Sequence, residues 1–265
     1  MRMRALFIVG ITILLVHLAV AQTPTPLRVF CSNGMKAVLE DLHTRAEREI
    51  RRPLGKIEYD TSVALRKRIQ TGEAFDVAIL SSEVFDELVK AGSITAASRT
   101  ELGRSGIGVG VRAGAPKPDI TTPDALKKSL LQAKSMTWVE PGASRMHIEH
   151  MLDVLGIAKD VQPKITLTQG VDQSIARVAG GQTELVLTLI SEIVPAKQLS
   201  LVGPLPAQVQ GYVRLEGGVS AKSGNADAGK ALLKTLSSPS TGATYHARGM
   251  ELVIVGDVGV PAPRK

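Results

Sequence analysis

Three times between residues 27 and 91 the chain runs from an apolar strand through a hydroxyl-bearing turn into a helix. In the first unit Leu27, Val29, Phe30 and Cys31 make the strand and Ser32-Asn33-Gly34 the turn. The helix then carries Met35, Val38, Leu39, Leu42, Ala46 and Ile50 on one face, at three- and four-residue steps. The second unit is a strand at 57–60, the turn Thr61-Ser62 and a helix at 63–70, stopped by Gly72. The third is a strand at 76–80, the turn Ser81-Ser82 and a helix at 83–91, closed by Gly92. Such alternation implies a parallel sheet, since each helix carries the chain back to the start of the next strand, and it gathers the turns at the carboxyl edge. A turn of this composition sets hydroxyls and free backbone N–H groups at the positive end of a helix, which suits an oxyanion or a carboxylate. The structural alternative is that Ser32 or Asn33 merely caps its helix.

The stretch 105–119 breaks the pattern. Ile107, Val109 and Val111 alternate with Gly106, Gly108 and Gly110, so one face of the strand has no side chains, and Pro116 and Pro118 end it. Glycine weakens a strand unless something approaches closely or the chain must bend. The stretch therefore reads as a crossover between two lobes, with an ordinary internal strand as the alternative. It is no dinucleotide fingerprint, because a proline-rich loop follows it.

Beyond it the strand–turn–helix plan resumes. Thr122-Pro123-Asp124 supplies an N-cap, a first-turn proline and a first-turn acid for a helix carrying Leu126, Leu130 and Leu131. A strand at 136–139 holds the single tryptophan, Trp138; the loop 140–144 leads to a helix at 145–155, stopped by Gly156. A strand at 164–167, a helix at 171–179 and a buried strand at 184–190 follow, with Ser191-Glu192 at the carboxyl end of the last. Residues 202–206 read as a rigid connector and 210–221 as a return crossing. Helices at 226–236 and 239–247 and an apolar end at 252–254 complete the chain.

Residues 1–21 read as a cleaved export signal: Arg2 and Arg4, an apolar run, then Ala19-Val20-Ala21 before Gln22. Without those two arginines the net charge falls from +7 to +5, interspersed along the chain, which mildly favours anionic small molecules. Aromatic residues are 3% of the chain, which argues against stacking on single-stranded nucleic acid, and no nucleic-acid partner is expected. The core must then be aliphatic, as in buried parallel strands. Cys31 is the only cysteine, so no internal disulfide forms, and at the end of an apolar strand it reads as an inert core thiol.

No nucleophile elbow, P-loop or zinc-protease helix is present. His147 and His150 lie three apart on a helix, but no third ligand is set by spacing, so neither a metal nor a cofactor is expected. Arg145, following Ser144, either clamps a carboxylate or is a surface arginine. Asp76 reads as the cap of a strand entry. No acid, base and nucleophile assemble, so the chain is not expected to be an enzyme.

The order of export signal, VFCSNGM, TSVALRKRIQTGEAFDVAIL, the glycine-rich strand, PGAS, GGQTELVLTLISE and Gly249-Met250 resembles the molybdate-binding (ModA-like) proteins of ABC importers across essentially the whole mature chain. The resemblance implies a type II periplasmic binding fold: α/β, two lobes with mostly parallel sheets flanked by helices, two crossing strands, and a ligand between the lobes. The expected lobes are 27–108 with 215–265, and 109–214. It also implies a periplasmic monomer that captures a small anion and passes it to an ABC permease in the inner membrane. Carried over, the family's first serine falls near Ser32 to Gly34, with Gly34 at its own position; Ser62 matches the second, and 141–144 matches the third loop loosely. Leu189 stands at the family's tyrosine, with Thr188 and Ser191 beside it. The expected ligand-binding residues are Ser32, Asn33, Gly34, Ser62, Ser144, Arg145 and Thr188. With two donors fewer than the family pattern, the ligand stays open between molybdate, another oxyanion and a small organic acid. Signalling rather than transport, or an exported enzyme on this fold, are the alternatives.

Overall fold

The structure, a computed structural model, describes residues 25–253. The export signal expected at 1–21, and Ile254 of the expected apolar end, lie outside the described residues.

In the first half β1 (Val29–Ser32) feeds α1 (Lys36–Ile50) through a short 3-10 turn at Asn33–Met35. Then come β2 (Glu58–Asp60), α2 (Ser62–Gln70), β3 (Val77–Ser81) and α3 (Ser82–Lys90). Both β2 and β3 run parallel to β1, with Phe30 opposite Glu58 on one side and Ala78 on the other. β1 and β3 are buried along their whole length because both faces are covered, whereas β2, at the sheet edge, is Glu-Tyr-Asp and only half-buried, so the second strand is not the apolar one expected. Val29, Cys31, Val77 and Ile79 pack with α1, whereas Phe30, Ala78 and Leu80 pack with α2 and α3.

β4 (Thr100–Arg112) ties this half to the next. The second half contains α4 (Pro123–Gln132), β5 (Met136–Val139), α5 (Arg145–Val154), α6 (Ala158–Val161), β6 (Ile165–Thr168) and α7 (Val171–Ala179). It continues with β7 (Leu185–Leu189), α8 (Ile190–Ile193) and β8 (Leu199–Pro204). β9 (Tyr212–Val219) returns to the first sheet half, and α9 (Ala226–Leu236), α10 (Gly242–Ala247) and β10 (Glu251–Leu252) finish the chain. The sheet order is β2-β1-β3-β9-β4-β7-β5-β6, with β8 and β10 also paired to β4. The parallel neighbours are β1, β2 and β3 in one half and β5, β6 and β7 in the other, so two carboxyl edges exist.

The glycine-rich stretch is a crossing strand. Thr100 to Gly106 pair antiparallel with β9, and Ile107 to Val111 pair with β7. Its bare face is filled from outside the strand: a Cβ on Gly108 would lie 2.8 Å from Ile190 Cγ1, and one on Gly110 would lie 2.8 Å from Val186 Cγ1. The glycines let α8 and β7 close onto the strand.

Three expectations need correction. Residues 202–206 are no mere connector: most of them belong to β8, an edge strand whose Pro204 ends it where no further ladder donor is needed. Ser82 of the third turn is not free for a ligand, because its Oγ donates to Glu216 Oε1 at 2.7 Å and Arg99 also engages that carboxylate, and neither Ser81 nor Ser82 lines the cavity between the halves. Leu131 is 37% exposed, since α4 packs on one face and Leu126 and Leu130 already fill it.

Local signals were otherwise followed. Thr61 and Thr122 cap α2 and α4 by accepting the Ala64 and Ala125 N–H groups. Asp76 holds a junction: it accepts from Arg28 N–H (2.9 Å), Ser223 Oγ (2.6 Å) and Asn225 Nδ2 (3.2 Å). Burial alone would raise its carboxyl, but these donors and the Arg28 charge outweigh that and hold it below its ordinary value. Burial, helped by Glu40, keeps the Cys31 thiol far above its ordinary range and therefore protonated.

Candidate functional site

The two carboxyl edges face each other. A small cavity of about 20 Å³ lies between them, lined by Ser32, Thr61 and Ser62 of the first half and by Val139, Gly142, Ala143, Ser144, Val171, Thr188, Leu189 and Glu192 of the second, with Val213. Four residues read from the sequence as ligand contacts, Ser32, Ser62, Ser144 and Thr188, meet there from four different chain segments.

Local geometry keeps the three serine hydroxyls able to donate to a ligand, whereas the Thr188 hydroxyl is committed to Glu192. Neither Ser32 nor Ser144 caps its helix through its side chain, although each sits in the cap position, so the capping alternative does not hold for Ser32. Ser62 Oγ accepts the Ser81 N–H at 2.9 Å, which fixes the hydroxyl and leaves its hydrogen to donate. Helix starts converge on the same space: Ser62 opens α2, Ser144 precedes α5, Val171 opens α7, and Ser32 precedes the 3-10 turn before α1. Unpaired N–H groups and positive dipole ends at each start favour an anion.

The remaining expected contacts lie elsewhere. Asn33 lines an adjoining groove of about 410 Å³, between the Lys36–Glu40 turn of α1 and the Val171–Ala179 face of α7. Gly34 is buried against Leu189 and Leu215; a Cβ on it would lie 2.8 Å from Leu189 Cδ1. Arg145 does not line the cavity: its Nε donates to Glu149 Oε1 at 2.7 Å and its Nη1 lies 3.7 Å from Glu140, an ion-paired arginine one helical turn from its partner. The Cβ of His147 lies 2.5 Å from where a Cβ on Gly211 would be, which marks their close packing. Burial lowers its pKa, and His150 contributes to that while Glu83 opposes it. Among the described residues no group of three His, Cys, Asp or Glu is placed to hold a metal.

The sequence reading put Ser191-Glu192 at a strand end and made no site of it. Glu192 lines both the small cavity and the larger groove, and Thr188 Oγ1 donates to its Oε2. Burial pushes its carboxyl up to about 7, against the Thr188 and Leu189 hydrogen bonds and with the Asp172 charge adding to the rise. Beside it the Ser191 hydroxyl is buried without a partner and lines the groove. The available signal was a polar pair directly after the apolar run ELVLTLI, at a helix start.

Similarity to known proteins follows the same outline. The chain is 29% identical over 241 residues to an aconitate isomerase of Pseudomonas sp., covering 89% of this chain and 91% of that protein. The fold is that of the periplasmic molybdate-binding protein of Azotobacter vinelandii (TM-score 0.72, 18% identity, 86% of this chain and 99% of that one). It also matches the sulfate-binding protein SubI of Mycobacterium tuberculosis H37Rv (TM-score 0.67, 16% identity, 86% and 87% covered). These are mixed α/β periplasmic binding folds of type II, with a central sheet flanked by helices, as described above. The sequence profile of the bacterial extracellular solute-binding protein family matches residues 27–251, and the chain belongs to that family.

Proposed function

We propose that the protein is a periplasmic receptor that captures a small anion between two lobes and delivers it to an ABC permease. The lobes are 27–108 with 215–265, and 109–214. Ser32, Ser62 and Ser144 grip the anion, Thr188 orients Glu192 beside it, Asn33 lines the adjoining groove, and Gly34 admits Leu189, which lines the cavity. The observation that carries this reading is the meeting of three hydroxyls and several helix starts, from both halves of the sheet, at one cavity. Neutral donors without a full counter-charge suit an anion that must be released again. Contacts to both halves favour the closed form over the open one, and the permease reads the closed shape. A thermal-shift panel of oxyanions and small carboxylates at millimolar concentration tests it: a ligand at about 100 Kd adds about 2.7 kcal/mol and raises the midpoint by several degrees. A panel that leaves the midpoint unmoved refutes the reading.

Glu192 favours a second reading, an exported isomerase of an unsaturated carboxylate. Such a reaction needs one group that takes a proton from carbon and returns it, and a carboxyl poised near 7 beside the cavity meets that need. The likeness to an aconitate isomerase supports it. Proton NMR of trans-aconitate incubated with the protein, with Glu192→Gln as the control, decides between the two readings.

A further inference from the structure

The small cavity presents hydroxyls and helix starts that suit an anion, yet an acid stands in its wall. Glu192 faces the space that Ser32, Ser62 and Ser144 share, and it lies in the wall between that space and the larger groove. Its side chain is fixed rather than free, because Thr188, four residues earlier, donates to it. Fixing it keeps the carboxyl facing the bound anion. An ionised carboxylate can only accept hydrogen bonds, and so can the oxygen of a fully deprotonated anion, so the two repel where they meet. One proton between them turns repulsion into a charge-assisted hydrogen bond.

We propose that Glu192 selects the ligand: the site binds its anion with a single proton shared between this carboxyl and a ligand oxygen. The preferred ligand class is then an anion that brings its own acidic hydrogen, such as a hydrogen-bearing phosphoryl group or a partly protonated polycarboxylate. A tetrahedral oxyanion without a hydrogen binds only by drawing a proton onto Glu192. This rests on the reading of the serine-lined cavity as the anion site. The raised pKa of Glu192 is consistent with it, since near neutrality either partner can supply the proton. The charged groups sharing the two spaces with Glu192 are Lys36 and Glu40 of α1 and Asp172 of α7; β7 contributes only Thr188 and Leu189, and neither β4 nor β8 contributes a lining residue. Asp172 strengthens the demand for a proton, and Lys36, on the groove side, stands apart from the small cavity.

Sulfate and phosphate are the matched probes, nearly equal in shape and different in their proton. Titration calorimetry of the full mature chain with each, from pH 5.5 to 8.5 and in two buffers of different ionisation heat, reads affinity and proton uptake together. For sulfate the expected result is an affinity that falls about tenfold per pH unit above the Glu192 pKa, with uptake of close to one proton per ligand there. Phosphate keeps its affinity over the same range, so its preference over sulfate widens as pH rises. In Glu192→Gln the sulfate profile becomes flat and the phosphate preference at pH 8.5 collapses. Identical profiles in both proteins, with binding intact, overturn the role of Glu192 and leave the anion site standing. Absence of binding by either probe and by a carboxylate panel, in a protein with a native thermal transition, overturns the anion site and this proposal with it.

Discussion

Leu189 occupies the space into which a side chain at residue 34 would grow: a Cβ on Gly34 would lie 2.8 Å from Leu189 Cδ1 and 3.3 Å from Leu215 Cδ1. The two positions expected to lack a hydroxyl of the molybdate-binding pattern are therefore neighbours, and the glycine is what admits the leucine. Gly34→Ala in the native protein costs about 1–3 kcal/mol by overpacking. In a Leu189→Ala background the same change costs much less, because the clashing atoms are gone. Denaturant midpoints of the two single variants and the double variant measure the coupling, and additive effects would refute the contact as its cause.

Ser32 and Ser62 separate ligand binding from folding. Ser62 holds the Ser81 N–H, so Ser62→Ala leaves a buried donor unpaired and costs about 1–3 kcal/mol of stability, besides weakening anion binding. Ser32→Ala is expected to weaken binding by about tenfold or more and to leave the urea midpoint nearly unchanged, since its side chain caps nothing. Calorimetry and urea unfolding on both variants give the comparison.

Arg145→Ala leaves anion affinity within about twofold, because the guanidinium is held by Glu149 and Glu140 and lies outside the cavity lining. The exposed pairs it loses are worth about 0–1 kcal/mol. A large loss of affinity in this variant would return Arg145 to the site.

Asp76 sets an acid limit on stability. Its folded pKa is depressed below its unfolded value, so the stabilisation is complete above about pH 4 and fades as pH falls through the folded value. Asp76→Asn lowers stability at pH 7 and flattens the acid side of the stability curve. Urea midpoints between pH 2.5 and 7 check both effects, and an unchanged acid slope would refute them.

Gly108→Val puts a Cβ 2.8 Å from Ile190 Cγ1 and 3.3 Å from the Gly203 carbonyl. Ile190 opens α8, the helix that carries Glu192, so the expected loss of about 1–3 kcal/mol comes with weaker anion binding. Loss of stability with affinity intact would mean that β4 does not position α8.

The strands and helices around the site were legible in the sequence because their signals are local. Apolar steps of three and four marked α1, and Thr122-Pro123-Asp124 marked the start of α4. Strand–turn–helix repetition alone indicated a parallel sheet with its turns on one edge, and the alternating glycines marked the crossing strand.

What a hydroxyl is spent on was decided only in three dimensions. Ser82 and Ser62 open consecutive helices in similar turns, yet one is consumed by Glu216, more than a hundred residues away, and the other faces the cavity. Arg145 was drawn off by Glu149 and Glu140, and Glu192 was brought beside the serines by the pairing of β7 with β4. Periodicity fixes which face of an element is buried, since it follows from the geometry of one helix or strand. Which polar group meets which depends on contacts between segments far apart in the chain, and no local pattern encodes those.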